Sequence, residues 1–175
     1  MKHHRSIMAL HWLTAIVIAA IVSAIFYRTG LEDGDQRKFW LDVHRALGLS
    51  VLIIVLARLV FRLRFGRERV VETTPVLHLA SAIAQGVLYI AMIALPLLGW
   101  AQSSARARHF KLFDIPMPTL IAHDPERADL LGEWHESIAW IFLAVIALHI
   151  LGALFHRFVR KDGVMQSMLP GKPTP

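Results

Sequence analysis

Four long apolar stretches alternate with charged ones along the chain. Ile7 to Phe26 runs for twenty residues without a charge, Thr73 to Ala105 for thirty-three and Ser137 to His156 for twenty. Between them, the stretch from Trp40 to Phe61 carries its charges, Asp42, Arg45 and Arg58, near its two ends. A helix crosses the roughly 30 Å hydrocarbon core with about 20 residues. The pattern therefore predicts four spans, about 7–27, 40–62, 76–101 and 134–157, within a single membrane domain covering 1–175. The first stretch is too long, and too polar at His11, for the apolar region of a secretion signal, and is expected to stay as a helix. One long connection, 102–133, contains Pro116, Pro118 and Pro125 with Phe110 and Phe113, and is expected to fold over one end as a lid. The other connections are short, so neighbouring helices should run antiparallel as a bundle. No strand-like alternation competes with this reading.

Composition agrees with a membrane protein: 55% of the 175 residues are hydrophobic, 18% are charged and the mean hydropathy is +0.50. The charges are unevenly placed. Residues 1–6, 58–77 and 157–175 together hold eleven Lys and Arg against three acids, while 28–42 and 102–133 hold seven against nine. The positive-inside rule then places both termini in the cytoplasm. The net charge of +6 thus reports topology, and nucleic acid is not an expected partner. The absence of cysteine excludes thiolate-held iron–sulfur clusters and covalent C-x-x-C-H haem attachment.

Ionisable side chains inside a span are costly and usually functional. His11 lies near the start of the first span, His44 near the start of the second, and His135 and His149 both in the last. The fourteen residues between His135 and His149 amount to about 21 Å and nearly four whole turns, so the two share one face. With antiparallel neighbours, depth pairs His44 with His135 towards the outside and His11 with His149 towards the cytoplasm. Each pair bridges two helices, as cofactor ligands in bundles do. Small residues, Ala15, Gly48, Ala139 and Gly152, stand three or four places after the four histidines and would leave room for a flat macrocycle. Without cysteine, that macrocycle is non-covalent haem b, and two matched depths give two of them. The alternative is four histidines hydrogen-bonded to neighbouring helices or serving a proton relay. His156, two turns beyond His149, rivals it but sits against Arg157 and the basic tail. His3, His4, His78, His109 and His123 read as interfacial or exposed.

Arg58, with Arg62 and Arg64 beyond it, reads as a snorkelling positive-inside cluster. Arg58 is also a candidate to hold a haem propionate by charge-assisted hydrogen bonds, and Arg45 a candidate on the other side. Trp12, Trp40, Trp100, Trp134 and Trp140 lie mostly near span ends, as an interfacial belt would.

Several segments carry a family resemblance: H-W-L at His11, D-V-H-R-A-L-G around His44, I-A-L-P-L-L-G at Ile93 to Gly99, E-W-H-E at Glu133 to Glu136, and R-K-D-G-V-M-Q-S-M-L-P in the tail. In this order and spacing they resemble the bacterial cytochrome b561 family over essentially the whole chain. The resemblance implies an all-α integral membrane protein of the bacterial inner membrane, a four-helix transmembrane bundle holding two b-type haems. The implied haem ligands are His11, His44, His135 and His149, the four that depth selects. The chain departs from the common family tail, in which a Lys and two adjacent His precede the last motif; here those positions read Phe155, His156 and Arg157.

One branch of the family oxidises superoxide at the periplasmic face and reduces ubiquinone, so the resemblance implies a superoxide:quinone oxidoreductase. An anionic substrate needs local positive charge to steer it. The candidates are Arg37, Lys38, Arg45, Arg106, Arg108, Lys111 and Arg127. Two other readings stay open: a di-haem subunit linking a partner dehydrogenase or periplasmic protein to quinone, and a non-redox helical carrier. The expected partners are membrane lipid, quinone and superoxide, with no protein partner required.

Overall fold

The computed structural model describes residues 5–65, 74–112 and 115–169. Four helices dominate it: α1 (Arg5–Thr29), α2 (Asp35–Phe65), α3 (Pro75–Ala105) and α4 (Pro125–Phe155). All four are long and apolar enough to cross a membrane, the last counted through its continuation to Arg160. Each extends past the span that hydropathy predicts, because polar residues at the ends still form helix where the bilayer stops selecting for apolar ones. At α4 the extension has a local cause. Asp124 caps the helix, accepting from the Arg127 N–H at 3.0 Å, and Pro125 occupies the first turn, where its fixed φ suits helix initiation. The expected loop 102–133 therefore shrinks to the stretch between Ala105 and Pro125.

That stretch contains a small antiparallel hairpin, β1 (Lys111–Leu112) with β2 (Ile115–Pro116). Two-residue strands are too short to leave an alternating pattern in the sequence, and they leave the all-α character of the bundle unchanged. The loop does close over one end of the bundle. The Trp100 indole donates to the Pro118 carbonyl at 3.0 Å, the Leu120 N–H to Ser104 Oγ at 3.1 Å and the Asp124 N–H to the Ala105 carbonyl at 2.9 Å. Phe110 is buried beneath it, with the Arg45 guanidinium against its ring. Phe113 lies outside the described residues.

At backbone level α1 packs mainly on α2 and α3 mainly on α4, with α2 and α3 joining the two hairpins. Val51, Val55, Ala91, Met92 and Phe142 form the buried core, flanked by Val17, Ile21, Leu88 and Ile146. Elsewhere large apolar side chains point outwards: Ile16, Ile90, Ile141 and Leu151 are each more than half exposed, as lipid-facing residues are. At the end opposite the loop, here called the basic end, α4 runs into a π-helical turn (His156–Arg160). Lys161 and Gly163 take positive φ, 52° and 82°. The reversed chain then makes a 3-10 turn (Met165–Met168), and the Trp12 indole donates to the Met168 carbonyl at 2.8 Å.

Candidate functional site

The four span histidines meet in two pairs. At the loop end, the rings of His44 on α2 and His135 on α4 have centroids 6.2 Å apart and planes 72° apart. At the basic end, His11 on α1 and His149 on α4 stand 6.3 Å and 65° apart. Helix α4 thus supplies one member to each pair, through the fourteen-residue spacing read from the sequence, and the buried core lies among the four helices. Neither α1 nor α2 packs its backbone closely on α4. The pairing therefore joins helices that their own backbones hold apart.

The loop-end imidazoles are oriented from behind. His135 Nδ1 lies 3.0 Å from the Leu95 carbonyl oxygen, and His44 Nδ1 lies 3.4 Å from that of Ile21. A carbonyl accepts only, so Nδ1 carries the proton in each and Nε2 keeps its lone pair for a metal. Pro96 sits inside α3 directly after Leu95. Three residues further, Gly99 passes close to the His135 ring: a Cβ there would meet Cε1 at 3.3 Å.

These residues fit haem. Two metal–nitrogen bonds of about 2 Å each, plus about 1 Å from each nitrogen to its ring centre, put axial imidazole centroids about 6 Å apart. Among the described residues no group of three or more His, Cys, Asp or Glu could hold a metal. A site offering two imidazoles suits iron that brings its own four equatorial nitrogens. Gly48 and Gly152, one turn beyond His44 and His149, have no atom within 4 Å of where a Cβ would stand, which leaves space beside the ligands.

The other histidines stay apart. His156 turns to Asp162, Nδ1 to Oδ2 2.6 Å, instead of to His11. His78, His109 and His123 are exposed, although His123 Nδ1 reaches the Ala105 carbonyl at 3.0 Å. His3 and His4 lie outside the described residues. Asp162 is held by its neighbours: burial alone would push its carboxyl up, but the hydrogen bonds from His156, the Val164 N–H and Arg160 hold it below the ordinary carboxylate range.

Cations gather at both ends. At the basic end Arg58 reaches His11 Nδ1 at 3.4 Å and Thr14 Oγ1 at 3.5 Å. At the loop end Arg45 pairs with Asp42 at 2.8 Å and also feels the charges of Arg28 and Arg108. Arg28 in turn faces Arg37, Arg108 and Asp33. The Nε atoms of Arg28 and Arg37 are buried without a hydrogen-bond partner. Of the sequence candidates, Arg37, Arg45 and Arg108 each stand near Arg28, with Arg37 paired with Asp33 at 3.1 Å. Lys38 is tied to Asp35 at 3.6 Å, Arg106 to Asp129 at 2.6 Å and Arg127 to Asp124 at 2.9 Å, and Lys111 stands on the hairpin. Arg28 escaped the sequence reading because, as the last basic residue of α1, it looks like any span-end cation.

The model of the prokaryotic cytochrome b561 family matches residues 2–171. The chain belongs to that family. It is accordingly a multi-pass membrane protein, a helical bundle that binds b-type haem and transfers electrons. It is 28% identical over 166 residues to the probable superoxide oxidase CybB of Yersinia pestis, covering 94% of each chain. It is 27% identical over 163 residues to cytochrome b561 homolog 1 of Escherichia coli (strain K12), covering 92% of this chain and 93% of that one. To homolog 2 of the same organism it is 25% identical over 165 residues, covering 92% and 87%.

Proposed function

We propose that this cytochrome oxidises superoxide at the periplasmic face and reduces ubiquinone, using two b haems. His44 and His135 hold the periplasmic haem, and His11 and His149 the cytoplasmic one. Each superoxide gives up one electron and leaves as dioxygen. Quinone takes two electrons and two protons to become quinol. When bound, the haems supply one-electron redox chemistry in a site dry enough to protect it.

The observation that carries this reading is the cationic group at the loop end. Arg28 stands near Arg37, Arg45 and Arg108, and the charges of Arg28 and Arg45 reach His44; Arg37 and Arg45 also pair with Asp33 and Asp42. Two of them keep a buried, unpartnered Nε. Arginines gathered in this way, only partly balanced by Asp33 and Asp42, make a local positive potential that draws a small anion. The loop as a whole is not cationic, so the attraction is local. The name of the Yersinia relative supports the same substrate.

The remaining parts follow from the chain's own residues. The Ile21 and Leu95 carbonyls hold the His44 and His135 rings in register for ligation. Arg45, on the periplasmic side, is the residue proposed to hold a haem propionate. The charge pattern of the segments supports an inner-membrane orientation with both termini in the cytoplasm, which puts the loop end in the periplasm. The test is catalytic: detergent-purified protein should couple superoxide consumption to quinol formation, and His135→Ala should abolish it. Quinol formed only in the presence of a co-purifying dehydrogenase would favour an electron-carrying subunit instead.

A further inference from the structure

The two histidine pairs differ in what stands behind the rings. At the loop end, both Nδ1 atoms face the negative end of a carbonyl dipole, Ile21 for His44 and Leu95 for His135. Donating to such an acceptor makes an imidazole a more basic ligand, which favours ferric iron. At the basic end the Nδ1 side of His11 meets the guanidinium of Arg58 at 3.4 Å. A guanidinium can only donate and is always charged, and a His11 that binds iron through Nε2 keeps its proton on Nδ1, so the two groups interact through charge and not through a hydrogen bond. The guanidinium's positive charge opposes the more positive metal and favours ferrous iron.

Arg58 is held where that charge acts. Its guanidinium lies 5.4 Å from the centre of the Tyr89 ring, with Arg62 at 5.6 Å from the same ring. Nη1 points to the hydroxyl of Thr14 at 3.5 Å, and Thr14, only 2% exposed, donates to the Leu10 carbonyl one turn earlier in α1. The Arg58 Nε is buried with no partner, and its charge also reaches His149. Among the described residues no carboxylate pairs with it, whereas Asp42 pairs with Arg45 at the other end. Charge in a poorly solvated site acts at full range because neither water nor salt screens it well.

We infer that Arg58 sets the direction of electron flow: its guanidinium behind His11 raises the reduction potential of the basic-end haem above that of the loop-end haem. An electron that enters at His44–His135 then passes favourably to His11–His149. The role is one of positioning charge, since Arg58 acts through a ligand. It rests on the two-haem reading above, but not on the identity of the electron donor.

The experiment is a spectroelectrochemical titration of the haem-loaded, detergent-purified protein, wild type against Arg58→Gln and Arg58→Lys, with haem content measured in each. The His135→Ala variant, retaining the basic-end haem, identifies which midpoint belongs to it. Arg58→Gln should shift the equilibrium between the haems at least tenfold towards the loop end, a fall of 59 mV or more in the basic-end potential. The loop-end potential should stay in place. Arg58→Lys, which keeps the charge, should restore most of the difference. Unchanged potentials in Arg58→Gln, or a shift confined to the loop-end haem, would overturn the inference while leaving two haems in place. If Arg58→Gln fails to retain both haems, Arg58→Met repeats the test with a side chain of similar length. Loss of the haem in both would also overturn it, by making Arg58 a binding residue. A wild-type protein without two haems would instead refute the reading beneath it.

Discussion

Gly99 of α3 lies against the imidazole of His135 on α4, so close that a Cβ would fall 3.3 Å from Cε1 and 3.5 Å from Nδ1. The same ring is anchored by the Leu95 carbonyl one turn earlier. One turn of α3 therefore fixes both the tilt and the tautomer of a haem ligand. Gly99→Ala should keep both haems but rotate the His135 plane by the small amount needed to clear a methyl group. The check is the low-spin electron paramagnetic resonance signal: one of two signals should move in Gly99→Ala and neither in Gly132→Ala. Gly132 is the control because an added methyl there meets the amide of Gln102, the far end of a side chain that can swing away.

Removing single ligands should separate the sites. His135→Ala is expected to lose the loop-end haem and His149→Ala the basic-end one, each bringing haem per chain to about half the wild-type value. The sites use different members of α4 and different partner helices, so the loss should be confined to one site. A pyridine haemochrome assay on purified protein reads this directly, and full haem content in either variant would refute the ligand assignment.

Arg28→Gln and Arg108→Gln should each slow haem reduction by superoxide several-fold without altering haem content. Electrostatic steering raises association rates by about 10–10³-fold and falls with salt, so the variants should also show a flatter dependence on ionic strength. Stopped-flow reduction at two salt concentrations makes the comparison. Lys38→Gln, already paired with Asp35, should have little effect.

How much of this was visible beforehand depends on how far apart the interacting groups lie in sequence. The four spans follow from apolar runs, and the shared face of His135 and His149 from helical periodicity within one element. The partners His44 and His11 follow once neighbouring helices are taken as antiparallel, because depth alone then orders them. What faces the back of each ring is different. Ile21 and Leu95 contribute backbone carbonyls, which no residue type announces, and Gly99 matters only through the rotation of α3 about its axis. The approach of Arg28 to Arg108 likewise depends on a loop whose path is set by backbone bonds to Ala105 and Ser104. The folding back of the tail onto Trp12 turns on Lys161 and Gly163 at positive φ, of which only the glycine hints at a turn.

The tail brings its own pH dependence. The folded Asp162 carboxyl is held below its ordinary range by His156, Val164 and Arg160. A depressed folded pKa means that its stabilisation is fully present above the unfolded value, about 3.9, and is lost as pH falls through the folded one. The melting temperature of wild type relative to Asp162→Asn should therefore be steady above roughly pH 5 and should converge on the variant below about pH 4. A difference that persisted unchanged in acid would show that the contacts of Asp162 do not depend on its charge.

The most direct test of the account is a haem-quantified, reduced-minus-oxidised visible spectrum of the purified protein with superoxide as the reductant. Two b haems per chain are expected, reduced by superoxide and reoxidised on addition of ubiquinone. Haems that dithionite reduces and superoxide does not would contradict the assigned donor, and fewer than two haems per chain would contradict the paired-histidine sites themselves.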